Sequence, residues 1–103
     1  MNIPEVEVRF FKQQGGESLK DAWYRLMESY RISNLKGDAK ILLRNFYIGL
    51  ALHHRELLDF ASKGNFIELD TNAAYEVLEG ILGVPPPNKG FAFSQEGVQF
   101  SKN

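Results

Sequence analysis

"QQGGESLKDAWYRLMESYR", residues 13–31, sets two adjacent glycines against a strong helix start and carries the only tryptophan of the chain. From Ser18 onward the apolar positions Leu19, Ala22, Trp23, Leu26, Met27 and Tyr30 fall on one side of a helix. Lys20, Asp21, Tyr24, Arg25, Glu28 and Arg31 cover the other. Ser18 is a suitable cap, because its hydroxyl can accept from the backbone N–H of Asp21 while the Asp21 carboxylate reaches back beside the positive helix end. This pattern predicts an amphipathic helix from Ser18, with Gly15 and Gly16 just outside it.

The same reasoning predicts three more helices. Asp38 caps one that runs to about Leu50, with Leu42, Leu43, Phe46, Tyr47 and Leu50 facing inward. On its other side lie Ile41 and Ile48, separated by Arg44 and Asn45, and a helix apolar on two sides is either sandwiched or meets another chain. A third helix is expected from His53 or His54 to Ser62, with Leu57, Leu58 and Ala61 inward, Arg55, Glu56 and Asp59 in water, and Gly64 as a left-handed cap. Phe66 and Leu69 then plug the base. Thr71 is expected to cap a last helix with Ala74, Val77, Leu78 and Ile81 on its stripe, which Gly83 and Pro85–Pro87 stop. The expected core is Leu19, Trp23, Leu26, Leu42, Phe46, Leu50, Leu57, Leu58, Val77, Leu78 and Ile81, in an all-α bundle of four to five short helices.

The ends leave two readings open. Val6, Val8 and Phe10 alternate with charged residues, and Phe91 and Phe93 with small ones, as short strands would. Alternatively residues 1–12 are a linker or the remnant of a preceding helix. Residues 84–103 would then be a flexible tail in which Phe91, Phe93 and Phe100 are docking points. Residues 13–83 form the domain between them.

A chain of 103 residues with 44% hydrophobic content has enough for one core. It can bury about two-thirds of its unfolded surface. A formal charge of −1 supplies no positive field to gather phosphates, so nucleic acid is not expected as a direct partner. There is no cysteine, hence no disulfide, thiolate zinc site or thiol nucleophile, and no stretch approaches the ~20 apolar residues of a membrane span. A cytoplasmic protein is expected, without membrane association.

Little in the sequence suggests catalysis. His53 and His54 are adjacent and point about 100° apart on a helix, so they do not share a metal ion. Glu56 and Asp59 belong to a solvated face with no apolar pocket to shift their pKa values. Ser18 is better explained as a cap than as a nucleophile. Gly15 and Gly16 lack the Lys-Ser/Thr ending of a phosphate loop, and Trp23 reads as a core anchor whose N–H needs one partner. No enzyme activity, cofactor or metal is expected.

The segments "QQGGESLKDAWYRL" and "NFYIGLALHHRELLDFASKGNFIELDTNAAYEVLEGI" resemble the Gag polyprotein of plant gypsy-class LTR retrotransposons. There an E-S-L-x-x-A-W segment precedes F-Y-x-G-L, R-x-x-L-D, a Gly-bearing loop and an A-Y-x-x-L-E helix. The likeness covers about residues 13–82 in order. The opening stretch is also similar to the major homology region of retroviral capsid C-terminal lobes, whose polar residues tie a loop to the first helix. The resemblance implies that role for Gln13, Glu17 and Arg25, although Gln14 stands where the family has glycine. It further implies a capsid C-terminal-type fold, a half-capsid without the N-terminal lobe, and a two-fold contact through the second helix, here Lys40, Ile41, Arg44, Asn45 and Ile48. The expected function is structural self-association in particle assembly, with the chain itself as partner. The alternative is a domesticated adaptor binding a peptide or host protein.

Overall fold

The computed structural model describes residues 3–33, 35 and 38–83; the expectations for 84–103, including Phe91, Phe93 and Phe100, lie outside them. Five α-helices and one 3₁₀ turn make up the fold, with no strand among the described residues. They are α1 (Pro4–Arg9), α2 (Leu19–Ile32), α3 (Ala39–Gly49), α4 (Leu52–Ala61), the turn Phe66–Glu68, and α5 (Thr71–Leu82).

Helix α2 begins where its cap dictates: the Ser18 hydroxyl accepts the Asp21 N–H at 3.0 Å. All six of its apolar positions are buried, and Trp23 lies at the centre of the molecule. The Trp23 ring meets Phe46 of α3 edge-on at 5.0 Å and Tyr75 of α5 at 5.8 Å. Such edge-to-face pairs add about 0.5–1.5 kcal/mol each to the burial of the rings themselves. Phe11 extends the cluster, 5.7 Å from Phe46. The Trp23 indole N–H was expected to find a partner, yet it is buried with none among the described residues. That leaves a desolvation cost of about 1–3 kcal/mol for the surrounding packing to offset.

Residues 4–9 form a helix, not the strand that alternation suggested. Pro4 presets the first turn, Glu5 and Glu7 sit at its positive end, and only Val8 of the alternating trio is buried. Val6 and Phe10 are exposed, whereas Val8 and Phe11, at helical spacing, enter the core. A six-residue helix has no stability of its own, and α1 is held by packing on α2 and α3.

Three details of α4 and α5 correct the sequence reading. Leu57 was expected in the core but is 41% exposed, while its neighbour Leu58 is fully buried. The reason is Asp59: its carboxylate accepts the Tyr47 hydroxyl at 2.6 Å and the Phe66 N–H at 2.9 Å, so this residue is turned toward the protein rather than water. With Asp59 so oriented, Leu58 points inward and Leu57 and Ala61 do not. Burial and the Asp59 carboxylate, the latter chiefly, hold the Tyr47 phenol above its usual pKa, and its ring stacks on Phe66 at 5.9 Å. The left-handed residue ending α4 is Lys63 (φ 60) rather than Gly64. The Gly64 N–H reaches back to the Asp59 carbonyl and the Lys63 N–H to that of Phe60, a Schellman ending. Finally α5 is capped by Asp70, whose carboxylate accepts the Ala73 N–H at 2.8 Å, with Thr71 as the first helical residue. Val77 and Ile81 lie at the half-buried margin of the core, and Gly83 ends α5 at φ 85 as expected.

The chain from Phe10 to Gln13 crosses the end of α3 at Gly49. A β-carbon there would stand 2.1 Å from the Phe11 carbonyl oxygen, and the Gln13 N–H donates to the Gly49 carbonyl at 2.8 Å. Gly49 is therefore a point of backbone contact. Gly49→Ala is expected to lower stability by about 1–3 kcal/mol, whereas Gly80→Ala on α5, with open space around it, should stabilise slightly through helix propensity. Urea denaturation of the two variants checks this pair of opposite signs.

Candidate functional site

Two features lie on either side of α1: a polar network against α2 and the outward face of α3. The network starts in the turn Gln14–Glu17, closed by the Glu17 N–H on the Gln14 carbonyl at 3.0 Å. Gly16 takes φ 78 in it, a position that favours glycine. The Gln14 N–H donates to the Glu17 carboxylate at 2.9 Å, and the left-handed residue comes two positions later.

Arg25 projects from α2 into this turn. Its Nε and Nη2 grip the Glu17 carboxylate at 2.8 and 2.9 Å, Nη1 reaches Glu7 of α1 at 2.8 Å, and Nη2 also donates to the Lys12 carbonyl at 2.8 Å. The guanidinium lies 4.8 Å from the centre of the Phe11 ring. A planar fork bonded in this way joins three separate segments, which a lysine cannot do. Arg25 holds the Glu17 carboxyl below its usual range, and the same pair raises the Arg25 pKa.

Gln13 carries the network to α4. Its Oε1 accepts the Ala51 N–H at 2.9 Å and its Nε2 donates to the Glu17 carbonyl at 2.7 Å, which fixes the amide orientation. His54 Nδ1 lies 2.9 Å from Gln13 Nε2 and 3.1 Å from Gln13 Oε1, accepting from the first or donating to the second according to its tautomer. Ala51 caps α4 and His54 is its third residue, so Gln13 occupies the place between them that a capping-box side chain would fill. Desolvation, and secondarily the charge of His53, pushes the His54 pKa below its ordinary value.

The structure thus brings Gln13, Glu17 and Arg25 together, with Glu7, Lys12, Ala51 and His54 as partners the sequence reading did not include. Glu7 lies in the segment for which strand, linker and helix all stay open in the sequence, so nothing there aims it at Arg25. His54 is rejected as a metal ligand in the sequence and has no hydrogen-bonding role there; among the described residues no group of three or more His, Cys, Asp or Glu side chains could hold a metal ion.

On α3, Ile41 and Ile48 are 54% and 53% exposed, with Arg44 exposed between them and Lys40 half-buried. Asn45 is partly withdrawn from this face, because its Nδ2 donates to the Val8 carbonyl at 3.2 Å. The end of α1 consequently lies beside the ridge, leaving a hollow of about 250 Å³ next to Ile41 and a wider one of about 580 Å³ next to Ile48.

Comparison of the chain with protein-family models, with curated proteins and with solved structures finds no match.

Two outcomes test the network. Arg25→Lys should cost about 1–3 kcal/mol in urea unfolding, since one ammonium leaves most of these acceptors unpaired. The pH dependence follows from the two lowered pKa values. His54 is neutral in the folded protein, so its contribution is complete above its ordinary pKa near 6.5 and is lost as acidity charges it. Glu17 contributes above the usual carboxylate range and stops contributing as pH falls through its lowered value. Wild-type protein should therefore lose stability from neutral pH to about pH 5.5, and His54→Gln should flatten that first decline while retaining the steeper acid limb.

Proposed function

We propose that this chain is a non-enzymatic, structural self-association module of the Gag capsid C-terminal type, pairing through α3 to help build a cytoplasmic particle. The observation that supports it is the double-sided apolar character of α3. Leu42, Leu43 and Phe46 are buried in the subunit, while Ile41 and Ile48 project from the other side with half their surface in water. Two helices laid against each other about a two-fold axis would cover four such isoleucines. Completing their burial yields roughly 3–6 kcal/mol gross, against association costs of about 4–15 kcal/mol. One contact is therefore weak, and repetition across many copies supplies the strength. The Gln13–Glu17–Arg25 network has a supporting part in this reading: it joins α1, α2 and α4 and so holds α3 in a fixed frame. Among the described residues no helix is long and apolar enough to cross a membrane, which is compatible with such a setting.

Sedimentation equilibrium over a wide concentration range should show a reversible dimer. Ile41→Asp with Ile48→Asp should leave a monomer of unchanged helicity and urea midpoint. A strictly monomeric wild-type protein at millimolar concentration would overturn the α3 pairing.

A further inference from the structure

We propose that the groove between the end of α1 and the α3–α4 junction docks an acidic peptide segment of a partner protein, one that inserts large apolar side chains between its carboxylates. This site goes beyond the α3 pairing and shares only Asn45 and Ile48 with it. The groove encloses about 580 Å³, and its floor includes three side chains that a folded chain would ordinarily cover: Phe10, Ile48 and Leu52, 76%, 53% and 60% exposed. Its charged lining consists of Arg9, Lys12 and Arg55, with no carboxylate among the lining residues. The acids near them in sequence, Glu5, Glu7, Glu56 and Asp59, do not line it; Glu7 is taken by Arg25, and Asp59 by Tyr47 and the Phe66 N–H. In a chain with 12 basic and 13 acidic residues, three cations around an apolar floor without an acid is a local imbalance of charge.

One of the cations is half-buried and keeps an unused donor. The Arg55 Nε is buried and has no hydrogen-bond partner among the described residues, although arginine carries five donors in a fork suited to carboxylates. An incoming carboxylate would satisfy a group whose cost the folded protein already bears. The walls are also preorganised. Phe11 and Gln13 are set against Gly49 by backbone contact, and the Gln13 amide fixes Ala51, so the floor does not need to be ordered by the ligand. The remaining chemistry selects the class of occupant. A concave apolar floor accepts protruding side chains, as in helix-in-groove recognition, whereas a lipid surface calls for a convex face. Three cations are few beside the many phosphate contacts from which nucleic-acid affinity is built.

Fluorescence anisotropy of the full chain with a labelled peptide of alternating Asp/Glu and Leu/Phe residues tests the assignment, beside the same peptide with Lys in place of its acids. Saturable binding of the acidic peptide alone, weakened by salt, is expected. Arg9→Glu with Arg55→Glu should lower affinity about tenfold or more, and Phe10→Ser should do likewise. Ile41→Asp should leave it unchanged, so loss of the α3 dimer and loss of peptide binding are read separately. Urea midpoints of all variants, close to wild type, would show that binding rather than folding was altered. Absence of saturable binding, equal binding of the Lys peptide, indifference to the Arg9 and Arg55 replacements, or retention on anionic vesicles without peptide binding would each overturn the proposal.

Discussion

The arrangement of the whole domain depends on one guanidinium. Arg25 gathers the carboxylates of Glu17 and Glu7 and the carbonyl of Lys12, and lies over Phe11. Each of these belongs to chain that the burial of Val8 and Phe11 brings against α2 and that Arg25 fixes in place. The paired glycines ahead of the helix are explained by this demand: the turn must bend sharply enough for Gln14, Glu17 and Gln13 to present their polar groups on one side. Charge-assisted bonds at partly buried positions are costly to leave incomplete, so the network orders as a unit or not at all.

Behind it, the aromatic column Phe11–Phe46–Trp23–Tyr75 runs from the turn through α3 and α2 to α5. The polar and apolar systems share Phe11, which touches Arg25 on one side and Phe46 on the other. At the opposite end, Tyr47, Asp59 and Phe66 perform a similar service on a smaller scale, fixing how α4 is rotated about its axis.

Where several local signals agreed, the fold was legible in the sequence. Ser18, the spacing Leu19–Trp23–Leu26–Tyr30 and the polar opposite face all specified α2, and Asp38 and Gly83 marked the start of α3 and the end of α5. Features decided by distant partners were not legible. Val6, Val8 and Phe10 mimic a strand, and only the pull of Arg25 on Glu7 and the burial of Val8 and Phe11 make the segment helical. Adjacent Leu57 and Leu58 are equivalent by pattern, and Asp59 chooses between them. Within the site, Gln13, Glu17 and Arg25 came from resemblance, but the Gln13 bond to Ala51 spans 38 positions and has no local signature.

The bond from Asn45 to the carbonyl of Val8 joins α1, which Arg25 and packing on α2 and α3 also hold, to the middle of the exposed ridge on α3. The position of α1 and that of the spot between Ile41 and Ile48 are therefore coupled: one cannot shift far without breaking this bond or carrying the other along.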